Sequence, residues 1–138
     1  MIYLIGSLRN PQIPAIRNAL EKATGERVFA DWFAAGEQAD DRWRDYEKSR
    51  GLSFREALDQ PAAVNVFDFD KKWLLKARAV VLALPAGKSG HLELGWMLGR
   101  GVPGAILLDS PERWDVMYQF ADKVADTVEE VGQWLRHC

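Results

Sequence analysis

Two adjoining stretches decide the fold: Ala77-Arg-Ala-Val-Val-Leu-Ala-Leu84, and the Pro85-Ala-Gly-Lys-Ser-Gly-His-Leu-Glu-Leu-Gly-Trp96 that follows it. An apolar run interrupted only by Arg78 is what a parallel strand needs when helices cover both of its faces. Gly87, Ser89 and Gly90 then turn the chain into a helix expected from Ser89 to about Arg100, closed by Gly99 or Gly101. In an open α/β sheet, ligands bind beyond the carboxyl ends of such strands. The backbone N–H groups of Ser89, Gly90 and His91 are expected to be unpaired at the helix start, where they suit a phosphate or carboxylate. Glu93, read as a first-turn residue favoured by the helix dipole, points into the same cleft.

The rest of the chain repeats this alternation. Ile2 to Ile5 reads as a buried strand and Gly6-Ser-Leu-Arg-Asn10 as the turn after it. Asn10 as cap, Pro11 in the first turn and apolar residues at Ile13, Ile16, Ala19, Leu20 and Ala23 predict a helix that Gly25 stops. A second strand, Arg27 to Ala30, completes a βαβ opening with the usual right-handed crossover. Residues 31–61 are polar and read as an insertion or lid holding one or two short helices, broken at Gly51, with Ser53 capping Phe54 to Leu58. Helical periodicity returns from Ala62 to Lys76. Gly104 to Leu108 is a further strand, Glu112 to Phe120 is expected to be helical, and Lys123 to Ala125 is a weak fifth strand. Thr127-Val-Glu-Glu130 is a capping box that opens a last helix. The pattern is a single α/β domain, three layers in the flavodoxin or Rossmann manner, around a parallel sheet of four or five strands.

Composition narrows the partners. With 138 residues there is room for one core, and 18 basic against 20 acidic residues leave no basic stripe for a nucleic acid polymer and no polybasic segment for a membrane surface. A small diffusible ligand is the expectation. One cysteine, Cys138, excludes an internal disulfide, and two distant histidines do not suggest a metal. Met1-Ile-Tyr-Leu-Ile5 lacks the basic start and length of a signal peptide, so a cytoplasmic location is expected.

Glu93 lies among apolar neighbours and Asp70 is the natural second carboxylate, since glycosidic chemistry needs one group to attack or stabilise the sugar and another to serve the leaving group. Alone, Glu93 reads equally as an ordinary first-turn acid, and Asp70 reads more readily as a solvated face residue. Ser7 and Arg9 in the first βα turn can reach an anion at the same edge, because the Arg fork binds two oxygens at once. Tyr3 feeds that edge and can either bond Glu93 or fill core. Trp32 overlooks the cleft as a stacking surface for a base, ahead of Trp43, Trp73 and Trp96, and His91 can contact phosphate or act structurally. Gly87-Lys-Ser89 is not a Walker loop, because no glycine stands at the required spacing ahead of it.

Four segments together, Ile2-Tyr-Leu-Ile-Gly-Ser-Leu-Arg9, Asp70-Lys-Lys-Trp-Leu-Leu-Lys-Ala77 with its strand, Ser89-Gly-His-Leu-Glu-Leu-Gly95 and Gly99-Arg-Gly-Val-Pro103, carry a family likeness in order and spacing. The chain resembles the nucleoside 2-deoxyribosyltransferase superfamily, including its 2'-deoxynucleoside 5'-monophosphate N-glycosidase branch and related short phage and bacterial proteins. The resemblance implies that Glu93 is a nucleophile forming a covalent deoxyribosyl-enzyme, that Asp70 assists base departure, and that Tyr3 positions the nucleophile. It further implies that Gly6, Ser7, Arg9 and the Ser89-Gly90 loop hold a 5'-phosphate, that no cofactor is needed, and that a homodimer or larger assembly completes the pocket. This chain has Arg78 where the family usually has an aspartate, a Ser89 loop about one residue shorter, and an insertion at 31–61 without a counterpart. Hydrolysis and transfer both stay open. So do a silent nucleotide-binding module and an NAD-glycohydrolase-like activity.

Overall fold

The computed structural model describes residues 1–138. The strands are β1 (Ile2–Ile5), β2 (Val28–Phe29), β3 (Ala79–Ala83), β4 (Gly104–Leu107) and β5 (Lys123–Ala125), in the spatial order β2-β1-β3-β4-β5 with every pair parallel. All residues of β1, β3 and β4 are buried, which is why these strands read as continuous apolar runs rather than alternating ones. The fifth strand is present, and the sheet has the order of a flavodoxin-like double winding.

Two cores flank the sheet. On one side α1 (Ile13–Thr24) and α6 (Val128–His137) pack Ile13, Leu20, Val131 and Leu135 onto Ile2, Leu4, Val81 and Ala105. On the other, α4 (Pro61–Leu74) and α5 (Lys88–Gly99) set Leu74, Leu94 and Met97 against Tyr3, Ile5, Val80, Leu82 and Ile106. The segment 31–61 folds as a 3-10 turn (Asp31–Ala35), α2 (Ala39–Ser49) and a short α3 (Phe54–Ala57). Its break at Gly51 has a positive φ of 78°, and Ser53 caps α3 as expected, within a capping box that Glu56 completes.

Several boundaries differ from the sequence expectation. The first helix starts at Ile13, so Pro14 rather than Pro11 occupies its first turn. Asn10 is buried and its Oδ1 accepts from the Gln12 N–H at 3.0 Å, closing a turn ahead of the helix instead of capping it. Glu112 to Asp115 is not helical; only Val116–Phe120 coils, as a 3-10 turn whose first N–H groups are met by Asp115. The expected helix from Glu112 is thus shortened to this turn, which Asp115 caps.

Arg78 has a structural role. Its guanidinium grips Glu26 through two nitrogens and donates to the Leu135 carbonyl at 3.0 Å, tying the start of β3 to the approach to β2 and the end of α6. Those hydrogen bonds hold the Glu26 carboxyl below the usual carboxylate range and push Arg78 up.

Two glycines separate packing from propensity. A Cβ on Gly132 would meet the Ala23 Cβ at 2.9 Å, an atom fixed to the α1 backbone, so α6 can approach α1 only without a side chain there. Gly132→Ala is expected to destabilise by about 1–3 kcal/mol through overpacking. A Cβ on Gly95 in mid-α5 meets nothing within 4 Å, so Gly95→Ala is expected to stabilise by about 1 kcal/mol through helix propensity. Urea denaturation of both variants checks the opposite signs.

Candidate active site

The sheet order brings Tyr3, Asp70 and Glu93 together. In this order the connections from β1 and β3 leave toward opposite sides, so a crevice opens between the loops at their carboxyl ends. Tyr3 is the second residue of β1 and is 1% exposed, with its ring packed on Phe29 at 5.2 Å between centroids. Phe29 in turn stacks on Trp73 at 4.5 Å, and Arg27 and Lys76 lie over the Trp73 ring at 4.8 and 4.6 Å. This stack fixes Tyr3 and the last turn of α4, where Asp70 sits. Trp73, offered above as a stacking surface, is thereby used up in packing.

Glu93 lies in the second turn of α5, not the first, because the helix begins at Lys88. Its position among apolar side chains decides its chemistry. Burial pushes the Glu93 carboxyl up to about 8, with the Asp70 charge adding to the rise, while the Tyr3 hydroxyl acts in the opposite sense by hydrogen bonding to the carboxylate. Asp70 is raised to about 6 by burial alone. The asymmetry is physical: Asp70 ionises first, so its charge is felt by Glu93 when Glu93 titrates. Burial and the two carboxylates raise Tyr3, which stays a neutral donor. Around neutral pH the pair therefore holds one proton, the condition under which one carboxyl can attack while the other donates.

Beside this trio, Ser7 and Arg9 line a cleft of about 290 Å³ with Pro85, Ala86 and Gly87. Ser7 Oγ accepts from the Arg9 N–H at 3.1 Å, which shapes the turn, and the Arg9 guanidinium is exposed, with the Asp41 carboxylate of α2 at 3.9 Å. The segment 31–61 thus reaches the site through Asp41, a residue the sequence reading did not single out and could not have, since Asp40 and Asp41 look alike in a polar run. The expected convergence of Ser7 and Arg9 with Ser89 and Gly90 is met by the Pro85–Gly87 loop in their place. Ser89 is exposed at the helix start beyond the cleft lining, and Gly90 is buried, where a Cβ would come within 2.9 Å of Leu82 Cδ1. Gly6 serves the same purpose, since a Cβ there would come within 2.6 Å of Ile13 Cδ1.

His91 and Trp32 are engaged in structure. The His91 N–H bonds to the Gly87 carbonyl, so it is not one of the unpaired amides expected. Its ring Nδ1 lies 2.7 Å from the Gly87 carbonyl and Nε2 2.9 Å from the Tyr118 hydroxyl. A carbonyl only accepts, so Nδ1 carries a proton toward Gly87, and Nε2 is hydrogen-bonded to the Tyr118 hydroxyl. The Trp32 indole N–H donates to the Leu4 carbonyl at 2.8 Å, and its ring edge lies against Gly6. The ring is partly buried and packs against both cores. No three His, Cys, Asp or Glu side chains gather into a metal-holding cluster, and no helix is long and apolar enough to cross a membrane.

No family model and no curated protein matches the chain. Among solved structures it is similar to a conserved protein from Enterococcus faecalis V583, with a TM-score of 0.64 and 10% identity over 99% of this chain and 96% of that one. At that identity the likeness shows the fold.

The raised Glu93 carboxyl makes stability depend on pH. Unfolded, Glu93 titrates near its ordinary value and loses its proton before the folded protein does, so stability falls as pH rises from about 4.5 toward about 8. Glu93→Gln removes this loss and is expected to stabilise the protein on the order of 3 kcal/mol at pH 8 and little at pH 4. Thermal unfolding at the two values measures it; equal shifts at both would mean that Glu93 is not buried as an acid.

Proposed function

We propose that this protein cleaves or transfers the N-glycosidic bond of a nucleoside or nucleoside 5'-monophosphate, deoxyribosyl substrates foremost, through a covalent glycosyl-Glu93 intermediate. The observation that carries the reading is the pair of half-buried carboxyls, Glu93 and Asp70, both pushed above the ordinary carboxylate range beside the buried Tyr3. In the productive arrangement the proton resides on Asp70. The Glu93 carboxylate attacks the anomeric carbon as the bond from that carbon to the base nitrogen breaks, and Asp70 delivers its proton to the departing base. Water, or the nitrogen of a second base, then takes the sugar from Glu93, and Asp70 receives the proton that the incoming group sheds. Tyr3 steadies the ionised Glu93 before attack. A 5'-phosphate fits the Arg9 and Ser7 cleft, where Arg9 would exchange Asp41 for the ligand.

The second copy expected at the pocket has a surface to bind. Val66 and Phe67 on α4 and Leu92 on α5, neighbours of Asp70 and Glu93, are each more than 60% exposed, which is apolar surface that a partner subunit would cover. Sedimentation of the intact chain tests this, and a monomer at high concentration overturns it.

Chromatography of free base after incubation with deoxynucleosides, their 5'-monophosphates and NAD tests the activity. Base release is expected from one of the first two classes, with kcat/KM bell-shaped between about 6 and about 8: below this range the nucleophile is protonated, above it the acid is lost. Glu93→Gln should keep binding and lose turnover. Binding without release from any substrate would leave a nucleotide-binding module. Arg9→Ala should weaken monophosphate use by about 1.5–3 kcal/mol and spare nucleosides; equal losses for both would make Arg9 a support of its loop.

A further inference from the structure

The crossover from β4 to β5 leaves one face of the sheet incompletely covered. On that face α4 and α5 are full helices, but the connection between β4 and β5 contains only the 3-10 turn Val116–Phe120. Between α5, β4 and this turn lies a groove of about 590 Å³. Its floor is Leu94, Leu98 and Ile106, and its outer wall Met117 and Phe120. Much of its room comes from Gly95 and Gly99, one turn apart on α5, since a Cβ at either would meet no atom within 4 Å. At 3.6 residues per turn, His91, Gly95 and Leu98 lie on the side of α5 away from Glu93, so the groove is separate from the carboxylate cleft.

Two features describe an occupant. Met117 and Phe120 line the groove yet are 59% and 76% exposed, so the chain does not itself cover this apolar wall. Asp115 and Asp122 also line it, and each uses one oxygen internally: Asp115 accepts from the Met117 N–H and Asp122 from the Gly104 N–H, both at 2.9 Å. Neither carboxylate is paired with a cation of the chain. A slot of this volume is of small-molecule size, and unpaired carboxylates beside apolar walls favour a cation over a neutral or anionic guest.

We propose that this groove is a second ligand site for a small apolar amine, whose body lies along the Gly95 and Gly99 side of α5 and whose ammonium group meets Asp115 and Asp122. The site does not depend on the activity proposed above.

Tryptamine and indole-3-propionate make a matched pair of probes, with one ring system and opposite charges. Titrated into the isotope-labelled full chain, tryptamine is expected to shift the amides of Gly95, Gly99, Gly101 and Asp122 saturably in amide-resolved NMR spectra, and indole-3-propionate is not. The Asp115→Asn, Asp122→Asn double variant keeps both internal acceptors and should weaken tryptamine about tenfold or more. Gly95→Leu, whose side chain has open space to enter, should abolish binding while the far-ultraviolet circular dichroism is retained; Gly99→Leu replaces it if that variant does not fold. The proposal is overturned if tryptamine does not saturate, if the carboxylate probe binds as well, if the double variant binds unchanged, or if the shifts cluster around Glu93 and Asp70 instead.

Discussion

The pairing of β1 with β3, Ile2 to Ile5 against Ala79 to Leu82, is the constraint on which the site rests. The chain leaves β1, returns in β2 on its outer side, and must then cross back over β1 to place β3 on the inner side. That reversal sets the Gly6–Asn10 turn beside the Pro85–Gly87 loop, and it lays α4 and α5 side by side above Tyr3. A one-residue slip in this register would turn Tyr3 toward α1 and bring Leu4 under Glu93. The slip is prevented from both faces, because Ile2 and Leu4 fill the α1 core while Tyr3 and Ile5 fill the other.

Holding two half-buried carboxyls beneath that crossover costs stability at neutral pH, and the surroundings show how the cost is borne. The aromatic stack of Tyr3, Phe29 and Trp73 provides rigid apolar walls, and Arg27 and Lys76 close its far side through cation–π contacts rather than through ion pairs that would neutralise Asp70. Arg78, one residue before β3, is spent on Glu26 and the Leu135 carbonyl at the opposite end of the sheet. No cation therefore stands close enough to pull Glu93 or Asp70 back to ordinary carboxylate behaviour; burial dominates both.

The fold was legible because parallel strands buried on both faces write themselves as apolar runs, and the βα alternation then leaves few topologies. Tyr3, Asp70 and Glu93 were legible as a set through family resemblance more than through spacing, since a carboxylate on a helix is unremarkable until a second one faces it. What could not be read were contacts across distant segments. Asp41 near Arg9 and Tyr118 on His91 join residues 32 and 27 positions apart, each pair from different elements whose relative placement no local pattern encodes. The packing at Gly6 and Gly90 was illegible for a related reason: a glycine near a loop looks the same in sequence whether or not a neighbouring side chain fills the space beside its Cα, as Ile13 and Leu82 do here.

The two faces of the sheet are finished to different degrees, and that difference organises the molecule. α1 and α6 close their side with Ile13, Leu20, Val131 and Leu135 fully buried, aided by the bare backbone at Gly132. The other side leaves Val66, Phe67 and Leu92 exposed around the carboxylate cleft, and Trp114, Met117 and Phe120 exposed around the groove beyond α5. α5 separates the two openings, with Leu94 and Met97 anchoring it to the sheet between them. His91 connects them. Its ring joins the Gly87 carbonyl, at the rim of the Arg9 cleft, to Tyr118 on the turn that walls the groove. A single imidazole therefore links the 3-10 turn beside β4 to the loop that lines the Arg9 cleft, so the two openings share one connecting side chain.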